Sequence, residues 1–207
     1  MKTELLIATT NPAKLAEYQL LLRDFDLQLI SLRDAGIATE APEDATTFAD
    51  NARMKARFYF AQSGLPTLAD DGGLEVDALG GAPGVQSHRW LGIDNPDDRV
   101  LAEAIVQRMT GVEAPRRTAR LRAAAALIYR EGDATREVVV ESALEGVIAD
   151  RCYSAIRKGF PYRSVLYLPD RGCYLAEFSE EEAAQISQRR SLVEKLAAEF
   201  ARLSRGC

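Results

Sequence analysis

"TARLRAAAALIYREGDATREVVVESALEGVIA" (residues 118–149) sets two long strand-forming runs on either side of Glu131–Ala134, a Gly-Asp turn. That arrangement predicts a long antiparallel hairpin. Upstream the pattern changes. "ELLIAT" (4–9) is an apolar run of strand length that passes directly into "TNPAKLAEYQLLL", whose apolar residues recur at helical intervals. Asn11 suits an N-cap and Pro12 the first helical position. "LQLIS" (27–31) predicts a second short strand, and the stretch from Ala35 to Asp44, with Gly36 and Pro42, a loop. Thr47 with Asp50 opens a helix over "FADNARMKARFYFAQS", which Gly64 ends. Strand–helix units beside a long hairpin imply an α/β fold with a mixed β-sheet flanked by helices, and no linker interrupts 1–207 as a single domain.

The remaining elements follow the same reading. "PTLAD" (66–70) predicts a strand that reaches Asp70 and Asp71, which end it and begin a loop where Gly72 and Gly73 remove side-chain bulk, and "GLEVDAL" alternates with period two as a half-buried strand or extended segment does. "GGAPGVQSHRWLG" is loop, Pro96 to Met109 helical, and "SVLYLP" a late strand. Residues 179–204 form one or two closing helices, with acids early and bases late as the helix dipole favours.

Composition narrows the chemistry. A chain of 207 residues, about half apolar, can bury a full core, and its net charge of −5 with interspersed signs argues against general nucleic-acid binding. No stretch reaches membrane-spanning length, and the opening residues are too short and wrongly flanked for a signal peptide, so a cytoplasmic location is expected. Cys152, Cys173 and Cys207 lack metal-ligand spacing and are expected as reduced thiols. The single histidine, His88, lies in a Gly/Pro-flanked loop and is read as a loop residue, not a base. Carboxylates and lysines must therefore carry the chemistry.

Three places could do so. "TTNPAK" (9–14) lies where a strand hands over to a helix, either a plain capped N-terminus or an anion site with Lys14 adding charge. Asn51 and Lys55 share a helix face, where the lysine either reaches solvent or meets an acidic partner or phosphate. Asp70 and Asp71, being adjacent in an extended segment, point to opposite faces. They make either a solvated acidic turn or a site for a divalent cation such as Mg²⁺, with Glu43 or Asp44 as a further ligand.

Taken in order, "LIATTNPAKLAE", "EDATTFADNARMKA" and "LADDGGLEVDALGGAPGVQSHRW" resemble three motifs of the inosine/xanthosine triphosphate pyrophosphatase family, enzymes that convert non-standard purine nucleoside triphosphates to monophosphate and pyrophosphate. The resemblance implies an elongated two-lobed fold with the active-site cleft between the lobes, a Mg²⁺ cofactor, a small nucleoside triphosphate as substrate with no nucleic-acid or membrane partner, and a homodimer. It implies phosphate contacts from Asn11 and Lys14, a triphosphate contact from Lys55, Mg²⁺ held by Glu43 and Asp71, and Asp71 as proton acceptor with Asp70 in support. The full substrate-binding set it suggests is Thr9, Thr10, Asn11, Lys14, Asn51, Gly72, Phe160, Tyr162, Arg163, Gln188 and Arg189.

Departures concentrate in the base-reading motifs. In "GFPYRSVLYLP" (159–169) Arg163 stands where the family has aspartate, and in "EEEAAQISQRRSL" (180–192) Ala183 replaces lysine and Gln188 histidine. Gly72 replaces a serine or threonine. An altered base pocket follows, with two other readings open: a catalytically reduced paralogue that binds nucleotide or a protein, and a pyrophosphatase for another diphosphate-bearing metabolite. Arg163 itself is either a new substrate contact or the partner of an acid inside the fold.

Overall fold

A computed structural model describes residues 2–205. Seven strands and five α-helices follow in the order β1 (Thr3–Ile7), α1 (Pro12–Leu21), β2 (Leu27–Ser31), α2 (Phe48–Ser63), β3 (Thr67–Val76), α3 (Asp98–Arg108), β4 (Thr118–Glu131), β5 (Ala134–Ile148), β6 (Leu166–Leu168), β7 (Cys173–Tyr174), α4 (Glu180–Ile186) and α5 (Gln188–Ser204). The sheet order is β2-β1-β3-β4-β5-β6-β7. β1 runs parallel to β2, from Thr3 opposite Leu27 to Ile7 opposite Ser31, and parallel to β3, whereas β6 is antiparallel to both β5 and β7. This is the mixed α/β sheet expected from the sequence. A parallel pair needs a crossover, and α1 supplies it between β1 and β2.

Local chemistry sets the helix starts. The Asn11 side chain accepts the Ala13 N–H at 2.9 Å and the Lys14 N–H at 3.4 Å, and Pro12 occupies the first turn, where its missing N–H costs nothing. Thr47 Oγ1 accepts the Asp50 N–H at 3.1 Å and donates to Asp50 Oδ2 at 2.7 Å, and α2 ends at Gly64 in the left-handed conformation.

The chain divides by its contacts into two compact units. Unit 1 comprises Met1–Asp71, Ala123–Ser142 and Arg189–Cys207; unit 2 comprises Gly72–Arg122 and Ala143–Gln188. In unit 1 the buried apolar residues include Leu5, Leu6 and Ile7 of β1, Ala52 and Ala56 of α2, and Leu192, Leu196 and Phe200 of α5. The β4 run from Ala123 to Tyr129 is buried continuously, as a central strand covered on both faces must be. In unit 2, Leu74 and Val76 pack in one cluster with Leu101 and Ile105 of α3, with Met109 just past its end, and with Tyr162, Val165 and Leu166.

One expectation needs correction. Asp70 and Asp71 do not end the strand in a loop, because β3 continues through Gly72 and Gly73 to Val76, taking in the start of the period-two segment. The reason is a close approach: a Cβ on Gly73 would lie 1.9 Å from Ser87 Oγ and 2.7 Å from the Gly84 carbonyl oxygen. Ser87 Oγ in turn accepts the Leu74 N–H at 3.2 Å and donates to the Gly84 carbonyl at 2.6 Å. Glycine here admits a neighbouring loop to the strand, as interior strand glycines commonly do.

Unit 1 also holds a buried cluster of charges. Arg189 Nη2 lies 2.9 Å and Lys14 Nζ 3.2 Å from Asp70 Oδ2, while Arg189 Nη1 lies 3.3 Å from Glu17 Oε2. Burial alone would raise the Asp70 carboxyl, but the charges of Arg189, Lys14 and Lys55 outweigh it and hold it well below the usual range.

Two outcomes follow. Gly73→Ala costs about 1–3 kcal/mol through overpacking against Ser87 and the Gly84 carbonyl, read as a lowered Tm in thermal unfolding. Because Asp70 titrates in the folded state below its unfolded value of about 3.9, the unfolded chain takes up more protons in acid. The stability this group supplies is therefore complete above about pH 5 and drains away as pH falls. Urea unfolding across this range shows the loss, and Asp70→Asn makes the profile shallower.

Candidate active site

The charged residues expected from the sequence converge in unit 1. Lys55, on the third turn of α2, is buried, with Nζ 3.1 Å from Glu43 Oε1 and 3.5 Å from Asp71 Oδ1. The two carboxylates thus face one ammonium. Burial acts to lower the Lys55 pKa, but the negative charges of Asp71 and Glu43 outweigh it and raise the value, so this lysine stays protonated. Of the two readings of Lys55, an acidic partner rather than a solvent-reaching lysine is the one the geometry supports.

Asp71 is held on its other oxygen as well. Asn51 Nδ2 donates to Asp71 Oδ2 at 2.9 Å, and Asn51 Oδ1 accepts the Ala45 N–H at 3.0 Å. A carboxylate only accepts and a backbone N–H only donates, so this pairing admits one orientation of the Asn51 amide. The same bond positions Glu43. Its loop is tied to α2 on both sides, by the Ala41 N–H donating to the Tyr59 hydroxyl at 3.1 Å and by the Ala45 N–H on Asn51.

Asp70, the preceding residue on β3, has the Arg189 and Lys14 contacts already described, and its side chain is fully buried. Asp70 Oδ1 and Tyr18 Oη are buried with no hydrogen-bond partner among the described residues. Burial, followed by the Asp70 charge, raises the Tyr18 pKa well above 10, which keeps the phenol neutral. Lys14 is lowered by its burial, against the pull of Asp70. At the start of α1 the Asn11 N–H donates to Thr9 Oγ1 at 3.2 Å, and Thr10 is exposed. Thr9, Asn11 and Lys14 therefore all belong to one strand-to-helix turn.

Of the residues in the base-reading motifs, Phe160, Tyr162, Arg163 and Gln188 lie in unit 2 and Arg189 in unit 1. Arg163, buried, places its guanidinium 3.8 Å from the centre of the Phe160 ring, with Nη1 3.4 Å from Glu180 Oε2. Glu180 also pairs with Arg157 at 3.3 Å. The charge reversal at 163 is thus matched by an acid at 180 that is exposed at the start of α4. Tyr162 donates its hydroxyl to the Ser87 carbonyl, and burial raises its pKa, so the phenol is a structural donor. Gln188 is buried at the start of α5, and Gly72 is the first residue of unit 2.

Sequence reasoning missed Glu17, Ser87 and Glu180. Glu17 lies three residues after Lys14 on α1, a spacing that could have shown it. Ser87 and Glu180 matter through partners further off in sequence, Leu74 and Tyr162 for the first and Arg157 and Arg163 for the second.

Among the described residues no group of three or more His, Cys, Asp and Glu side chains could hold a metal ion, and no helix is long and apolar enough to cross a membrane. Cys152 and Cys173 are free thiols, Cys207 lies outside the described residues, and His88 is exposed in its loop.

Comparison with known proteins matches the whole site-bearing chain. A dITP/XTP pyrophosphatase of Geobacillus kaustophilus is 40% identical over 193 residues, covering 93% of this chain and 92% of that one. The dITP/XTP pyrophosphatase of Methylococcus capsulatus is 35% identical over 206 residues, covering 100% of both. Among solved structures, a HAM1 protein from Coxiella burnetii superposes with a TM-score of 0.82 at 32% identity, covering 97% of this chain and 99% of that one. A nucleoside-triphosphatase/dITP/XTP pyrophosphatase from Mycobacterium abscessus gives 0.71 at 36% identity, over 94% and 97%. The Ham1 family profile matches residues 5–199, and with these relatives along its length the chain belongs to the Ham1 family.

Proposed function

We propose that the protein is a Mg²⁺-dependent nucleoside triphosphate pyrophosphatase, cleaving non-standard purine triphosphates such as dITP and XTP to monophosphate and pyrophosphate. The observation that carries this reading is the Asp71 carboxylate gripped by Asn51 at one oxygen and Lys55 at the other, with Glu43 across the same ammonium. Two hard carboxylates fit Mg²⁺, which takes one or two from a protein and completes its shell with phosphates and water. Glu43 and Asp71 would hold the ion, which neutralises triphosphate charge when bound.

The chain's own residues do the rest. The capped N-terminus of α1 and the ammonium groups of Lys14 and Lys55 bind the phosphates, as helix N-termini and lysines do for anions. Asp71 orients a water and takes its proton as the oxygen attacks the α-phosphorus. The bond to the bridging oxygen breaks, and pyrophosphate leaves with its charge balanced by the lysines. Asn51 keeps the Asp71 carboxylate from rotating during the transfer.

For the base, the guanidinium of Arg163 lies against one face of Phe160, so a purine stacking on that ring would use the other. The same reading makes the protein a cytoplasmic homodimer. A panel of dITP, XTP, ITP, GTP and ATP with Mg²⁺, assayed for pyrophosphate and monophosphate, tests the function. Turnover is expected on dITP, XTP and ITP in preference to GTP and ATP, and release of orthophosphate alone overturns the reading. Asp71→Asn is expected to lower kcat by about 10²–10⁴-fold, the range of a lost general base.

A further inference from the structure

Arg189 opens α5 far along the chain from the phosphate-side residues, yet its side chain is only 4% exposed within the charge cluster of unit 1. Its Nε and Nη2 both lie 2.9 Å from one oxygen, Asp70 Oδ2, and Nη1 lies 3.3 Å from Glu17 Oε2. Lys14 Nζ sits 3.2 Å from that same Asp70 oxygen. Glu17 and Lys14 are three residues apart on α1 and share a face of that helix. One arginine therefore grips both the carboxylate that orients Lys14 and the helix that carries it.

We propose that Arg189 is a positioning residue for the phosphate-binding Lys14, acting through Asp70. Lysine has a flexible four-carbon stem and loses rotamer freedom when fixed, whereas the planar arginine fork is pre-organised for a carboxylate. With Asp70 Oδ2 immobilised by the fork, the Lys14 ammonium is ordered before any anion arrives, and binding does not bear that cost again. The charge count acts in the same direction. Arg189 and Lys14 share the Asp70 carboxylate, on which Lys55 also acts; without the arginine, Lys14 would bear more of that negative charge and have less of its own to offer a phosphate. The inference rests on the pyrophosphatase reading only in giving Lys14 a phosphate to bind.

Inorganic tripolyphosphate with Mg²⁺ is the probe, since it presents phosphates without a base. Calorimetric titration of the wild type, Arg189→Lys, Lys14→Met and the double variant forms a cycle. Arg189→Lys keeps the charge and loses the fork, and is expected to weaken binding about tenfold in the wild-type background and less than twofold beside Lys14→Met. Equal losses in both backgrounds overturn the proposal. So does unchanged tripolyphosphate affinity with a raised KM for nucleotide, which would put Arg189 on the base, and so does a wild type that does not bind tripolyphosphate.

Glu17→Gln supplies a second route should Arg189→Lys not give a cooperatively folded protein. It leaves the Arg189–Asp70 pair and loosens only the tie to α1, with about a threefold loss expected that again vanishes beside Lys14→Met. An equal loss in both backgrounds overturns the proposal here as well. The pyrophosphatase reading fails separately: the wild type would turn over no nucleotide while the non-additivity in tripolyphosphate binding persisted.

Discussion

Two neighbouring carboxylates on one buried strand impose the governing constraint. Side chains at successive strand positions point to opposite faces, so Asp70 and Asp71 cannot be satisfied by one partner, and each buried charge needs its own. Asp70 is met by Arg189 and Lys14, and Asp71 by Lys55 and Asn51. These partners come from α1, α2 and α5, so neutralising β3 fixes where three helices of unit 1 must carry their cations. A buried ion pair adds little net stability over an apolar replacement, but leaving one partner alone costs about 3–5 kcal/mol. The arrangement is all or nothing.

That constraint also separates two kinds of work. Asp70 is enclosed, held ionised, and joined to structural partners, whereas Asp71 shares its lysine with Glu43, which is exposed on its loop. The first carboxylate gathers the cations of α1 and α5; the second shares the cation of α2 with an exposed acid. Unit 2 shows a parallel division: Tyr162 spends its hydroxyl on the Ser87 carbonyl, while Phe160 and Arg163 stack with their charge returned to Glu180. Ser87 also meets β3, where only glycine at 73 leaves it room.

Much of this was legible in the sequence. β2 spans the residues expected of it, Asn11 and Thr47 cap the helices they were expected to cap, and the Gly-Asp turn joins β4 to β5. These are local effects, set by side chains within four residues of the backbone they control. The four-residue spacing of Asn51 and Lys55 puts them on one helix face, and both reach Asp71. At Gly72 and Gly73 local preference favours a loop, but Ser87, fourteen positions after Gly73, packs against the strand there and the backbone stays extended.

By itself the sequence determined the order and type of most of the elements and the family resemblance, because periodicity, capping and motif spacing are properties of short segments. Only the tertiary structure decided the pairings. Arg189 lies 119 residues from Asp70 and 172 from Glu17, and no local pattern couples positions so far apart. Their union follows from packing α1, β3 and α5 into one unit, where a buried carboxylate must find a cation and the fold determines which one arrives.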